Sequence, residues 1–377
     1  MVTSAPRNLF GHDREGLRDV MREMGEKPFR ADQIMQWIYR HGVSDFGAMT
    51  NIARPFREKL AETCTVSAPE VLEQQESRDG TRKWVLRVGD DALGQAVETV
   101  FIPEGQRGEA RYRGTLCISS QVGCAMDCSF CSTGKQGLSR NLTAAEIVAQ
   151  LWFAAHALGG NGDLHNQRAI TNVVFMGMGE PLANYSAVLT AIRVFLDDFG
   201  FGLSKRRVTV STSGLVPFMD RLRSDCDTAL AVSLHAADDA LRNELVPINR
   251  KYPLKELMDA CRRYTRDRGH KMHIVYEYVM LDGVNDSDAN ARDLIRLLGD
   301  MPAKVNLIPF NPFPGTSYTR SPEARVDHFA NLLRRRGLIT TVRRTRGDDI
   351  DAACGQLVGR VNSRQRNRLG GVPVVSA

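Results

Sequence analysis

From residue 113 onward, short β-rich runs alternate with helical stretches, and this alternation constrains the fold more than any other feature of the chain. The runs are "TLCISS", "TNVVFMGMG", "RRVTVSTSG", "ALAVSLHA", "HIVYEYVML", "KVNLIPFNP" and "LITTVRRTRG". Amphipathic stretches at 143–158, 186–198, 254–268, 288–299 and 322–336 lie between them. Repeated βα units with near-continuous apolar strands predict a parallel sheet, because crossover helices connect parallel neighbours and cover the sheet. The units are too few for a closed eight-fold barrel, so the expected class is α/β, with a partial, open (β/α) barrel over 113–355. Functional groups of such a fold gather at the C-terminal mouth.

Ahead of this series the pattern differs. "GLRDVMREMG" and "RADQIMQWIYRHG" place apolar residues such as Ile34, Met35, Ile38 and Tyr39 at helical spacing, with Pro28 between the segments. A small helical domain is therefore expected over 1–60. In "SRDGTRKWVLRV" the Asp79-Gly80 turn signal precedes an alternating Trp84, Leu86, Val88 face, and "AVETVFIP" supplies a second extended segment. Residues 61–112 are thus expected to form a β-hairpin extension or linker, and 356–377 a polar tail. A length of 377 residues with 42% hydrophobic content is enough to bury a large core. "MVTSAPRNLFGHDREG" has no apolar leader and no run of about 18 apolar residues occurs, so a cytoplasmic protein without membrane spans is expected.

The net charge of +6 is modest, but its positive groups bunch at Lys205–Arg207, Arg334–Arg336, Arg343–Arg346 and around Arg364, Arg366 and Arg368. Each bunch is either a solvated face or a grip for a phosphate backbone. Eight cysteines spread over so long a chain do not make the disulfide framework of a short secreted domain. Tight spacing therefore points to metal or catalysis.

That spacing occurs in "CAMDCSFC", where Cys124, Cys128 and Cys131 form C-x3-C-x2-C directly after the first strand of the series. A closed zinc site needs a fourth Cys or His, and the nearest downstream histidine, His156, falls inside a predicted helix. An iron-sulfur cube held by three thiolates instead leaves one iron open to a small molecule carrying an amine and a carboxylate, as S-adenosylmethionine does.

"LCISSQVGCAMDCSFCSTGKQGLSRNL", "TNVVFMGMGEPLAN", "RRVTVSTSGLVP", "AVSLHA", "VNLIPFNPFPG" and "RGDDIDAACGQL" resemble, in order and spacing, the RlmN/Cfr branch of the radical SAM superfamily, and its RlmN members more closely. The likeness runs from about "GEKPFRADQ" to "CGQL". It implies an RNA methyltransferase holding a [4Fe-4S] cluster on Cys124, Cys128 and Cys131 and consuming two S-adenosylmethionine molecules per turnover. It also implies that Cys354 first accepts a methyl group, which then loses hydrogen to a 5'-deoxyadenosyl radical and adds to C2 of adenine. Cys117 matches the thiol that attacks Cys354 sulfur, releasing product and leaving a disulfide, and Glu98 matches the proton acceptor. Gly179, Glu180, Ser211, Ser233, Leu234, His235 and Asn311 match positions that hold S-adenosylmethionine. One departure is the segment 105–114, longer than the family pattern between the Glu98 and Cys117 strands.

C2 of adenine lies between two ring nitrogens and is too electron-poor to attack a sulfonium methyl, which is why a radical route is needed. A methyl-accepting cysteine gains from nearby positive charge, and Arg343, Arg344 and Arg346 are candidates. Cys64, Cys226 and Cys261 read as small buried hydrophobes, and Met176 and Met178 as core or pocket wall. The resemblance implies 23S rRNA and adenosine 37 of tRNA as substrates, a flavodoxin- or ferredoxin-like electron donor, and a monomer. Two alternatives stand beside this reading: a preference for adenine C8, and a zinc-stabilised RNA-binding protein without catalysis.

Overall fold

The computed structural model describes residues 6–89, 94–105, 113–159, 169–266 and 273–358. Among them, ten strands form one mixed sheet whose spatial order is the chain order. These are β1 (Val71–Glu76), β2 (Arg82–Arg87), β3 (Ala96–Glu104), β4 (Arg113–Cys117), β5 (Ile170–Phe175), β6 (Val208–Thr212), β7 (Ala229–Ser233), β8 (Ile274–Met280), β9 (Ala303–Pro309) and β10 (Ile339–Val342). β4 to β10 run parallel and coincide with the β-rich runs of the sequence, whereas β1 to β4 pair antiparallel. The result is a partial (β/α) barrel with an antiparallel extension continuing its first edge.

The crossover helices include Ala144–Ala157, Tyr185–Leu196, Leu254–Thr265, Asp288–Leu298 and Glu323–Arg335, within two residues of the predicted starts. Capping boxes fix two of those starts: the Thr143 hydroxyl accepts from Glu146 N–H and the Ser287 hydroxyl from Asn290 N–H. Two shorter helices, Val216–Asp225 and Asp239–Leu245, were not legible in the sequence, because each spans too few turns to show a period.

The expectation of near-continuous apolar strands is corrected by the register. Ser211 lies beside Ala231, Ser233 beside Glu277, Glu277 beside Asn306, and Asn306 beside Thr341. Partners in register share a face, so one face of β6 to β10 is small and polar. Val210, Val232, Tyr276 and Val305 occupy the other face and are fully buried. The physical reason is that helices cover only the outside of an open barrel, while the inside stays available to ligands.

The N-terminal segment folds as helices Arg14–Glu23, Arg30–Met35 and Arg54–Thr63. It docks on the helix Ala144–Ala157: Trp152 Nε1 donates to Ile38 O at 2.8 Å, and Phe10 packs 5.5 Å from the Trp152 ring. Ion pairs Arg14–Asp197 and Asp13–Arg193 flank the contact. In the extension, the fully buried Trp84 on β2 donates to Gln74 on β1 at 3.0 Å. β1 escaped the sequence reading because "VLEQQE" is largely solvent-facing and lacks an apolar alternation. Arg364, Arg366, Arg368 and most of the 105–114 segment lie outside the described residues. Among the described residues, no helix is long and apolar enough to cross a membrane.

Candidate active site

The 124–131 loop leaves the barrel mouth just after β4. Its base is closed by a two-stranded ladder, Gln121–Gly123 against Leu138–Asn141, and Cys124 N–H donates to Gly137 O at 2.9 Å. Inside the loop, Cys131 N–H donates to Cys128 O at 3.1 Å, and Ser129 N–H reaches Leu245 O at 3.1 Å. Backbone contacts therefore set the three cysteines before any metal binds. Burial pushes all three thiols above their ordinary range, a cost that metal ligation removes by replacing the proton.

The loop forms one wall of a pocket at the C-terminal ends of the parallel strands that opens to solvent, with about 940 Å³ of empty space when the opening is included. Every residue of the predicted site lines it except Cys117, Glu98 and Leu234: Cys124, Cys128, Cys131, Gly179, Glu180, Ser211, Ser233, His235, Asn311 and Cys354 are all present. Gly179 adopts φ +96°, and a Cβ there would sit 2.5 Å from Gln121 Cβ, so only glycine lets this turn pack. Glu180 is buried; its carboxylate accepts from Leu182 N–H at 3.0 Å and from Ser213 N–H and Oγ at 2.8 Å each. Burial raises its pKa and those donors oppose the rise. None of the three donors is charged, which suits a ligand ammonium.

His235 has φ +59°, and its Nδ1 accepts from Val279 N–H at 3.0 Å. The acceptor role puts the ring proton on Nε2, and burial followed by the Arg242 charge lowers the pKa to about 3, so the ring is neutral. Phe130, the aromatic residue before Cys131, meets this ring at 4.4 Å. Asn311 contacts the backbone of the predicted methyl acceptor, its Nδ2 donating to Cys354 O at 3.3 Å. Leu234 stands apart from the lining residues: its side chain is wholly buried outside the cavity, and its backbone is held through Glu277 O and Arg242 Nε.

Cys354 and Cys117 lie within electrostatic reach of each other at the barrel mouth, and the Arg343 guanidinium feels both thiols and Glu277. Burial pushes Cys354 up and Arg343 opposes it, while Cys117 is pushed up to about 12 by burial and then by the Cys354 charge. Of the three arginines proposed beside Cys354, Arg343 alone lines the cavity. Arg346 pairs instead with Asp79 at 3.8 Å, and Arg344 is exposed. Glu98 is buried on β3; Val100, two residues on, lies opposite Cys117, so Glu98 shares that face of the sheet at about 7 Å along the strand.

Three residues of this site carried no sequence signal. Arg242 is fully buried and donates to Leu234 O, Ser213 O, Ser233 O and Asn249 Oδ1, tying the ends of two strands together. Glu277 lines the cavity, and its Oε2 accepts from Asn306 Nδ2 at 2.9 Å. Ser213 holds Glu180. An arginine in a helix and a glutamate in an apolar strand show their purpose only when neighbouring strands are aligned.

The residues present suit an iron-sulfur cluster and S-adenosylmethionine: three thiols on one wall, a buried carboxylate with neutral donors on the other, and room for a drug-sized ligand between them. The zinc reading needs a fourth ligand. His156 does not supply it, since its ring nitrogens contact Trp152 O and Gly42 O. Among the described residues, no three His, Cys, Asp or Glu side chains converge on a single ion.

Residues 7–66 match the family described as the ribosomal RNA large subunit methyltransferase N-terminal domain, and residues 118–295 match the radical SAM superfamily. The fold is similar to the crystal structure of a radical SAM methyltransferase from Sphaerobacter thermophilus, with a TM-score of 0.84 and 44% identity over 93% of this chain and 99% of that one. Streptococcus suis SuiB bound to S-adenosylmethionine matches at a TM-score of 0.44 and 13% identity, over 61% of this chain and 50% of that one. That level of likeness carries no further argument.

Proposed function

Because the chain belongs to the RlmN type of radical SAM methyltransferases, we propose that it methylates C2 of adenine in RNA, acting on a specific adenosine of 23S rRNA and on adenosine 37 of tRNA. The observation that supports this most is the meeting of Cys354, Arg343 and Cys117 at the mouth that also presents the three-cysteine loop.

Cys124, Cys128 and Cys131 would hold the [4Fe-4S] cluster. Gly179 and Glu180 would receive the methionine amine, and Ser211, Ser233, the Leu234 backbone, the His235 Nε2–H and Asn311 the remainder of S-adenosylmethionine. When bound, two S-adenosylmethionine molecules per turnover supply first a methyl group and then, with an electron from the cluster, a hydrogen-abstracting radical. Arg343 stabilises the Cys354 thiolate that accepts the methyl group. After the methylene carbon has joined adenine, the adduct would give up one electron to the cluster and the C2 proton to Glu98. The Cys117 thiolate would then attack Cys354 sulfur and break its bond to that carbon, which takes a proton to become the methyl group of the freed RNA. The Cys117–Cys354 disulfide that remains would need a two-electron thiol reductant before the next turnover. A flavodoxin- or ferredoxin-like protein would deliver the electron, and the enzyme would work as a cytoplasmic monomer.

Residues 1–60 serve this chemistry as an accessory RNA-binding domain, 61–112 as an extension, 113–355 as the catalytic barrel and 356–377 as a tail. Phe29 is 48% exposed with the Arg30 guanidinium 5.0 Å above its ring, an arrangement that suits an unstacked base. The reading is tested by anaerobic reconstitution, turnover on ribosomal and transfer RNA, and chromatography of RNA digests with mass detection. It requires 2-methyladenosine; 8-methyladenosine would move the site to C8, and absence of both would end the proposal.

A further inference from the structure

An open barrel leaves its first and last strands facing each other across a gap, and in this chain polar contacts span that gap. The turn between β1 and β2, Ser77–Thr81, meets the loop that follows β10. Asp79 accepts from Thr81 N–H at 2.9 Å through one oxygen and from Gly347 N–H at 3.1 Å through the other. Asp349 reciprocates, accepting from the Ser77 hydroxyl and from Arg78 N–H at 3.3 Å. Arg346 pairs with Asp79 at 3.8 Å, and the buried Lys83 reaches Asp351 O at 3.4 Å. Gly347 has φ +65°, and a Cβ on it would lie 2.9 Å from Thr81 Cγ2 and 2.8 Å from Ala352 Cβ, so the two segments pack too tightly for any side chain.

We propose that these contacts are a latch, with Asp79 and Asp349 as positioning residues that hold the Cys354 loop opposite Cys117. The inference rests on the assignment of Cys117 and Cys354 as partner thiols. Its physical basis is path length. Without the latch, Cys354 is tied to Cys117's strand through the contacts of Gly355 and Leu357 with Ser132 and Thr133, and otherwise through the strands that lead around the barrel, a route along which small bends add up. With it, Cys117 on β4 connects through β3 and β2 to the turn that grips the loop. Beyond Cys354 a second anchor completes the sling: Ser132 N–H donates to Gly355 O at 2.8 Å and Gln356 Nε2 to Pro312 O at 3.0 Å.

The loop does not reach this position without cost. Asp351 sits at φ +49°, a left-handed conformation that a side chain disfavours, and the latch contacts offset that strain. Both carboxylates titrate below their ordinary range. For Asp349 the Ser77 hydroxyl leads; for Asp79 burial pushes up, but donation from Thr81, Gly347 and Ser77 outweighs it. The latch is therefore fully charged at neutral pH, and its contribution is lost only as pH falls through those depressed values.

The experiment uses the full-length protein carrying its cluster, in oxygen-free glutathione redox buffers. There, two protein thiols and one oxidised glutathione give one protein disulfide and two reduced glutathiones, and peptide mass mapping reads the Cys117–Cys354 product. The effective concentration of the two thiols should fall at least tenfold in the Asp79→Ala, Asp349→Ala double variant. Asp349→Asn, which keeps an acceptor for Ser77, should fall less. Gly347→Ala removes no charge and wedges the segments apart, so it should reproduce the double variant's loss and serves as a second route should the latter not fold. Wild-type equilibria in these variants would overturn the latch. A wild-type chain that forms no such disulfide would instead sink the thiol-pair assignment on which the latch rests.

Discussion

The three cysteines of the 124–131 loop and the pair Cys117 and Cys354 place the same functional group at the same barrel mouth by opposite means. The trio is local: one loop, a two-stranded ladder at its base and backbone hydrogen bonds within it decide where the thiols lie. The pair is distant in sequence, one member on β4 and the other past β10, and depends on the curvature of the whole sheet. Electrostatics differ too. Burial leads for all four thiols, but at Cys354 the Arg343 cation is the next influence and opposes it. At Cys124 and Cys131 burial is opposed only by hydrogen-bond donors and at Cys128 by the more remote Arg242, which leaves their charge to be balanced by a metal. A sulfur that binds metal needs geometry first; one that accepts a methyl group needs a charge partner as well.

If this division is right, the regions fail separately. Cys354→Ala should abolish methylated product while iron per chain and the visible absorbance of the reconstituted protein stay unchanged, and Cys128→Ala should lose both. Loss of iron in Cys354→Ala would show that the two regions are one. Next in size, Cys117→Ala should leave enzyme covalently joined to RNA, seen as a shifted band on a denaturing gel; normal turnover would rule out the proposed release step.

Gly179→Ala tests the ligand wall that both regions share. The added methyl meets Gln121 in a backbone conformation that favours glycine, a strain of about 1–3 kcal/mol, which is roughly a ten- to hundredfold weakening of S-adenosylmethionine binding by calorimetry. An unchanged Kd would mean that the loop does not meet the ligand. The smallest effect is electrostatic. Arg343 lowers the Cys354 thiol against burial, so Arg343→Gln should leave burial unopposed and move the pH profile of Cys354 alkylation upward. With less thiolate at a given pH, alkylation at pH 8 should be slower than in the wild type, as quantified by peptide mass. An unshifted profile would remove Arg343 from the activation argument.

Much of this molecule was legible without coordinates where the signal is local. Each parallel strand and five of the crossover helices announced themselves by period, and the three-cysteine loop by spacing. What escaped has a common cause. Arg242 reads as one more helix-surface arginine until its guanidinium is found against the carbonyls of two strand ends. Glu277 interrupts an apolar strand, and its use appears only when Ser233 and Asn306 flank it in register. Leu234 and Arg346 were placed on the right segments, but side-chain direction sent one into the core and the other to Asp79.

The sequence by itself determined the periodicities, the strand-helix alternation and the C-x3-C-x2-C loop, because each depends on residues a few positions apart whose geometry the backbone enforces. Only the tertiary structure decided that Arg343 meets Cys354, that Cys117 faces them, and that the first and last edges of the sheet are joined at Asp79 and Asp349. Those relations depend on how twist and curvature accumulate over the whole sheet, a quantity that no short stretch of residues encodes.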